Sequence, residues 1–432
     1  MTAYAPPGGR SSNPVGGVAV AGRGIRADGR SEPITRARRC PLSAEITAHT
    51  RFRGAGGITS ALRGAAALRR AAPALGLFAA ARLTGLLVFA AAAWHRDMSP
   101  RARLATAWDA DWYTRIAAHG YGRTLFWPDG AVQSDLAFFP FYPGLIRAVT
   151  TVLPVTGGTA GLLLSWTAAG AAACAIYLIG ERLYGRPVGT LLVLLWALLP
   201  HAVVLTMAYT EPVMTAFAAW SLWAVLERRW LWAGSLALLA GLSRPNAVAV
   251  AAAVLVAAAV EIRRGERSWR PWAGALLAPL GWCGYVLWVG LREGDPVGGY
   301  FAVQSGWTSR FDFGVGTLRF AKRLATFPFE LGFPMAALLT AVLVLLFVLF
   351  ALDRPSLPLL VYTGVLVLIT VGGAGYFESK PRFLLPAFPL LIPPALALTK
   401  ARPRAAVAVT VALAGLSFCY GAYLLTRASM AL

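Results

Sequence analysis

Two carboxylates, Asp109 and Asp111, stand among three aromatic residues in Trp108-Asp109-Ala110-Asp111-Trp112-Tyr113, just past the first apolar run of the chain. A carboxylate placed there can take a proton from a hydroxyl, and the aromatics can stack on a sugar ring or sit in a membrane interface. Further along, Glu211 lies in Tyr209-Thr210-Glu211-Pro212, Arg244 in Ser243-Arg244-Pro245-Asn246, and Lys380 and Arg382 in Glu378-Ser379-Lys380-Pro381-Arg382-Phe383. Together these residues offer a base for a hydroxyl proton and cations for an anionic leaving group such as phosphate. Each also has a structural reading. Asp109 and Asp111 can be solvated loop acids, and Trp108, Trp112, Tyr113 and Trp127 can form an interfacial belt. Arg244 and Arg382, beside prolines, can cap carbonyls or snorkel, and Glu211 before Pro212 can open a helix. His119 has no partner at ligand spacing and reads as structural.

These residues must be held by membrane-embedded elements. The 432 residues are 57% hydrophobic and only 14% charged, which excludes an ordinary soluble enzyme and indicates an all-α polytopic membrane protein. Net charge is +21, but twelve of the 40 basic residues precede position 71 and most others fall in short loops. Such charge reads as topology and not as nucleic-acid binding. Cys40, Cys174, Cys283 and Cys419 form neither a metal nor a disulfide pattern. Residues 1–70, rich in Gly, Arg, Ser and Pro, read as a basic disordered cytoplasmic tail drawn to anionic headgroups. A start codon near Val15 to Val20 would shorten that tail. No cleavable signal peptide is expected, because the first apolar run begins late and is long.

Residues 71–432 form the membrane domain. Eleven apolar runs, at 71–94, 158–180, 187–205, 213–226, 230–243, 246–262, 271–291, 331–352, 356–373, 383–398 and 405–426, predict about eleven transmembrane helices. The 230–262 region also suits a pair of half-helices. Arg82 is the one charge in the first run. With the N-terminus inside, 24 of the 40 basic residues lie in the tail and cytoplasmic loops, including 181–186, 263–270 and 400–404. That orientation places the large loops 95–157 and 292–330, and the turns bearing Glu211, Arg244, Lys380 and Arg382, on the extracytoplasmic side of the cell membrane. The aromatic stretch 138–147 then predicts an interfacial helix and not a further crossing. The acids and bases collect at one outer face and no internal repeat is evident. Both features weigh against the alternative class, a lipid or sugar transporter or flippase.

The Trp108 to Tyr113 motif is followed by Ile116-Ala117, Gly120-Tyr121 and Ala137-Phe138-Phe139-Pro140-Phe141-Tyr142-Pro143. The Tyr209-Thr210-Glu211, Ser243-Arg244-Pro245-Asn246 and Pro381-Arg382-Phe383-Leu384-Leu385-Pro386-Ala387-Phe388-Pro389 motifs then come in order. In this sequence of motifs, over about residues 71–426, the chain resembles the bacterial PIG-V type mannosyltransferases of the GT-C superfamily. The resemblance implies a GT-C-like fold with interfacial helices in the first outer loop. It implies a hexosyltransferase that uses polyprenyl-phosphate mannose as donor and a lipid, glycan or protein as acceptor. It also implies a catalytic carboxylate after the loop tryptophan, a role carried onto Asp109, while Asp111 lies where the family varies. Catalytic candidates are therefore Asp109 and Asp111. Candidates for substrate binding are Glu211, Arg244, Lys380, Arg382, Trp108, Trp112 and Tyr113. The lipid donor accounts for the lack of a Gly-rich nucleotide loop. Some members of the superfamily use a divalent metal, but two carboxylates do not establish one when hard cations take about six oxygen ligands.

The charge distribution makes a direct prediction. A cysteine placed at Gly130 should react with a membrane-impermeant reagent applied from outside, and one at Gly265 should not. The reverse labelling pattern would overturn the orientation.

Overall fold

The computed structural model describes residues 58–128 and 130–429, and nearly all of its regular structure is helical. The first helix, α1 (Ile58–Trp94), leads to two short helices, α2 (Pro100–Thr106) and α3 (Asp109–His119). A hairpin of β1 (Thr124–Phe126) and β2 (Val132–Ser134) and a further helix, α4 (Phe141–Val152), complete the first loop. The chain then runs through α5 (Gly157–Tyr184), α6 (Arg186–Ala197), α7 (Glu211–Leu226), α8 (Trp230–Gly241), α9 (Val248–Arg263) and α10 (Arg270–Arg292). A second loop carries α11 (Gly299–Gly306), β3 (Arg310–Phe311) and α12 (Val315–Thr326). After it come α13 (Gly332–Leu352), α14 (Leu357–Gly372), β4 (Gly373–Ala374), α15 (Lys380–Phe383), α16 (Ile392–Lys400) and α17 (Pro403–Thr426).

Every one of the eleven apolar runs folds as helix, but they are not eleven equal crossings. Among the described residues six helices are long and apolar enough to span a bilayer, and a seventh span arises if the pair Phe377–Phe383 and Phe388–Lys400, bent by 80°, is counted as one. The remaining four, α6, α7, α8 and α14, are shorter. Proline accounts for several of the breaks. Pro200 follows the end of α6, Pro212 opens α7, and Pro386 and Pro389 lie in the bend after α15. The 230–262 region resolves as the short α8 and a span, Pro245–Arg263, that is long enough to cross. Helix α1 is described from Ile58, so it begins within the stretch 1–70 read as tail. Residues 1–57 of the expected tail lie outside the described residues. The aromatic stretch 138–147 forms the 12-residue α4, too short to cross, which buries Tyr142, Pro143 and Ile146 against its neighbours.

Glycine sets the closest helix contacts. Helices α8 and α10 meet along Gly234, Gly241, Gly274 and Gly281. A Cβ at Gly234 would lie 2.8 Å from the Cα of Gly274, and one at Gly241 would lie 2.7 Å from the backbone nitrogen of Trp282. Small residues allow backbones in an apolar medium to approach this closely and gain dispersion contact. The helices also sort their charges. Helices α5, α7 and α9 end at a band of ion pairs: Arg186 with Glu181 (3.1 Å), Arg182 with Glu227, and Arg228 with Glu261 and Glu266. Their opposite ends, at Gly157, Glu211 and Val248, lie toward the loops that carry the candidate site. The loops that follow α5, α7 and α9 thus share one end of the bundle.

Gly281 has the carbonyl of Leu238 directly where a Cβ would sit, whereas Gly170 in α5 has nothing within 4 Å. Gly281→Ala should therefore lower the thermal midpoint in detergent, by the equivalent of about 1–3 kcal/mol or more, and Gly170→Ala should not. Equal midpoints for the two variants would show that the α8–α10 contact is not limiting.

Candidate active site

Four charged side chains from four separate elements meet at the loop end of the bundle. Asp109 is the first residue of α3 and Glu211 the first of α7, where their charges suit the helix N-terminal dipoles. Arg244 lies in extended backbone (φ −157°, ψ 155°) at the break between α8 and α9, as expected of a residue before proline. Arg382 lies in the four-residue α15. The Nη1 atom of Arg382 is 3.0 Å from Oδ2 of Asp109, and its Nε is 3.3 Å from Oε1 of Glu211. On the other side of Glu211, Oε2 is 2.8 Å from Nη1 of Arg244. That same Nη1 donates to the Thr210 hydroxyl at 2.7 Å, and the hydroxyls of Thr210 and Tyr113 share a 3.1 Å hydrogen bond. The guanidinium of Arg382 also lies over the rings of Tyr209 (5.3 Å) and Phe383 (5.0 Å).

Burial divides the cluster. The side chains of Glu211, Arg382 and Arg244 are 1%, 6% and 8% exposed, while Asp109 is 21% exposed and forms the accessible edge. Ion-pair distances do not here mean saturated hydrogen bonds. Both Glu211 oxygens and the Nε atoms of Arg244 and Arg382 are buried without an aligned partner among the described residues. Burial of such groups is costly unless another ligand completes them, so the cluster has donors to offer an anion. Burial raises the phenols of Tyr113 and Tyr209 well above their ordinary value.

The other candidates fall elsewhere. Asp111 points away from the cluster and pairs with Arg115 (2.7 Å) and Arg123 (3.1 Å). Residues two apart on a helix are about 200° apart around its axis, so α3 cannot present both acids to one site. Lys380 donates its ammonium to the carbonyls of Thr370 (2.5 Å) and Gly373 (2.7 Å) and clamps the backbone before α15 instead of joining the arginines. Trp112 and Tyr113 are buried, neither a belt nor an open platform. Trp112 stacks on Phe138 (5.5 Å) and meets Trp307 edge-on (5.1 Å). Trp108 is partly buried beneath Arg103 (4.4 Å), and Trp127 is exposed. His119 is exposed at the end of α3. Among the described residues no three of His, Cys, Asp and Glu gather closely enough to hold a metal ion. Asp109 and Asp111 turn to different arginines and do not form a paired donor set.

Some participants were not singled out by sequence reasoning. Thr210 links Arg244 to Tyr113, and its only signal was adjacency to Glu211. His201 is also buried with neither ring nitrogen hydrogen-bonded among the described residues, but its ring faces the edge of Tyr420 at 5.4 Å and not the charged cluster. Two bulky residues hold positive φ just before the site elements: Trp108 (50°) before α3, and Tyr376 (40°) before the turn into α15. Such conformations are strained for residues with a Cβ and persist where surrounding packing imposes them.

No protein-family model matches the sequence, and no curated protein matches it. Among solved structures the chain is similar to ArnT from Cupriavidus metallidurans bound to undecaprenyl phosphate. Identity is 14% and the TM-score 0.48, over 78% of this chain and 62% of that one. It is also similar to the oligosaccharyltransferase of Archaeoglobus fulgidus in its apo form (13% identity, TM-score 0.44, 81% of this chain and 56% of that one). Likeness extends to the AglB oligosaccharyltransferase of the same organism in complex with an inhibitory peptide and a dolichol-phosphate (13% identity, TM-score 0.40, 81% and 55%). The chain thus spans less than two thirds of the length of these proteins, and likeness of this degree says nothing of chemistry.

Proposed function

We propose that this chain is a membrane glycosyltransferase that moves a mannosyl unit from a polyprenyl-phosphate-linked sugar to an acceptor hydroxyl on the extracytoplasmic side. The observation that carries this reading is the 3.0 Å pair between Asp109, the accessible acid, and Arg382, a buried guanidinium. A carboxylate that can accept a proton beside a guanidinium that can bind phosphate supports the reading, since glycosyl transfer from a phosphate requires both groups. Mannose and the lipid donor follow from the motif resemblance, and the acceptor is a lipid, glycan or protein hydroxyl.

In this mechanism the donor phosphate takes the place of Asp109 on Arg382, with Arg244 behind Glu211 adding positive potential. Released from its ion pair, Asp109 accepts the proton of the acceptor hydroxyl. The acceptor oxygen bonds to the anomeric carbon as the bond from that carbon to the phosphate oxygen breaks. The bonding pair leaves with the phosphate, where the guanidinium can meet two oxygens at once. A single displacement inverts the anomeric centre, so a β-linked donor yields an α-linked product.

Membranes incubated with labelled polyprenyl-phosphate mannose should yield a labelled product. Asp109→Asn keeps shape and an oxygen for Arg382 but removes basicity, so turnover should drop by about 10²-fold or more while donor binding largely survives. Near-normal turnover in a properly inserted variant would remove Asp109 from the role of base.

Arg382→Lys should retain part of the donor binding and lose turnover, and Arg382→Ala should lose both. Wild-type KM and kcat in an Arg382→Ala protein of matched stability would rule out phosphate binding there. A stability defect alone would mark Arg382 as structural.

A further inference from the structure

The second loop carries a helix whose outer side has no protein partner. In α12, Thr317 and Phe320 face inward. The Thr317 hydroxyl donates to the carbonyl of Val371 (2.8 Å) and approaches that of Gly373 (3.3 Å), and Phe320 stacks on Phe377 (4.5 Å, 28°). The outer side presents Val315, Leu318, Arg319, Lys322 and Arg323, all exposed. Leu318 is 66% exposed, and Phe313, immediately before the helix, is 87% exposed. None of the three cations takes part in an ion pair among the described residues. The acids nearby are already engaged: Asp312 caps α12 through the backbone nitrogens of Gly314 and Gly316, and Glu330 accepts from Ser429.

The level of this helix is fixed by the bundle. Phe320 lies 5.5 Å from Phe333, in the first turn of the spanning α13, so α12 sits where that span leaves the hydrocarbon. An amphipathic helix at this depth, with bulky apolar side chains beside unpaired cations, has the chemistry of a helix that rests on phospholipid headgroups. Its inner side touches the segment that leads to Arg382. The carbonyl of Gly373 that Thr317 approaches also accepts from Lys380, and Phe377 opens the turn into α15.

We propose that α12 docks on the anionic lipid surface of the leaflet at which the site opens, and that docking braces residues 373–382 so that Arg382 is held in place. The docking stands independently of the catalytic reading, whereas the effect on transfer rests on it.

The test uses full-length protein in nanodiscs, with the four native cysteines replaced by alanine and an environment-sensitive fluorophore on Leu318→Cys. In discs containing phosphatidylglycerol the emission should shift to the blue and resist an aqueous quencher. The effect should fade at high salt and disappear in an Arg319→Gln, Lys322→Gln, Arg323→Gln protein, since three such cations are worth about 10²-fold in surface binding. A probe that stays water-exposed in both anionic and neutral discs overturns the proposal. Equal burial in both overturns its electrostatic part. Transfer from labelled donor in the same discs should rise with anionic lipid and lose that dependence in the triple variant. Docking without any lipid dependence of turnover overturns the bracing. Docking in discs that transfer no sugar from any polyprenyl-phosphate donor leaves the surface standing and sinks the proposed reaction.

Discussion

A guanidinium buried in an apolar bundle needs anionic partners, and Arg382 takes them from two separate elements. Asp109 comes from the first loop and Glu211 from the start of α7, each brought within 3.3 Å of a guanidinium nitrogen. Removing one partner of such a network typically costs about 3–5 kcal/mol, because the remaining charge is stranded. The demand extends outward. Glu211 in turn needs Arg244, and Arg244 shares Thr210 with Tyr113. The first loop supplies Asp109 and Tyr113, and three interruptions in the helices, at 198–210, 242–247 and 373–391, place Thr210, Glu211, Arg244 and Arg382 where they meet them.

Irregular backbone at membrane depth is tolerated only when protein satisfies its polar groups. The turn after α15 meets this condition through two donors from distant helices: the Trp196 indole donates to the carbonyl of Leu385 (2.9 Å) and the Tyr362 hydroxyl to that of Pro386 (2.8 Å). Tyr209 is likewise tied to Ser165 in α5. The strained backbone at Trp108 and Tyr376 falls beside the same interruptions, where packing has most to impose.

The two ends of the bundle use charge differently. At one end arginines pair with Glu181, Glu227 and Glu261 in contacts whose basic partners are largely exposed. Such pairs are worth roughly 0–1 kcal/mol each. At the other end Glu211, Arg244 and Arg382 are desolvated, and the same Coulomb attraction is much less screened among them. Of the two, the second environment is the one that sets buried guanidinium groups with unpartnered Nε atoms next to a carboxylate that stays accessible.

Local chemistry determined where the helices form. An apolar environment leaves the backbone no partner but itself, so every long apolar run became helical. The short aromatic stretch became an interfacial-length helix because twelve residues cannot reach across. Four of the motif segments meet in the charged cluster. Spacing could not say which side chains would turn inward. Asp109 finds Arg382 across 273 positions of sequence, while Asp111, on the opposite side of the same turn, is taken by Arg115 and Arg123. Lys380, two residues from Arg382, spends its protons on two carbonyls. Where apolar runs stop is written in proline and chain length; which charge pairs with which depends on helix rotation and on the breaks between helices, and both are set only when the bundle closes.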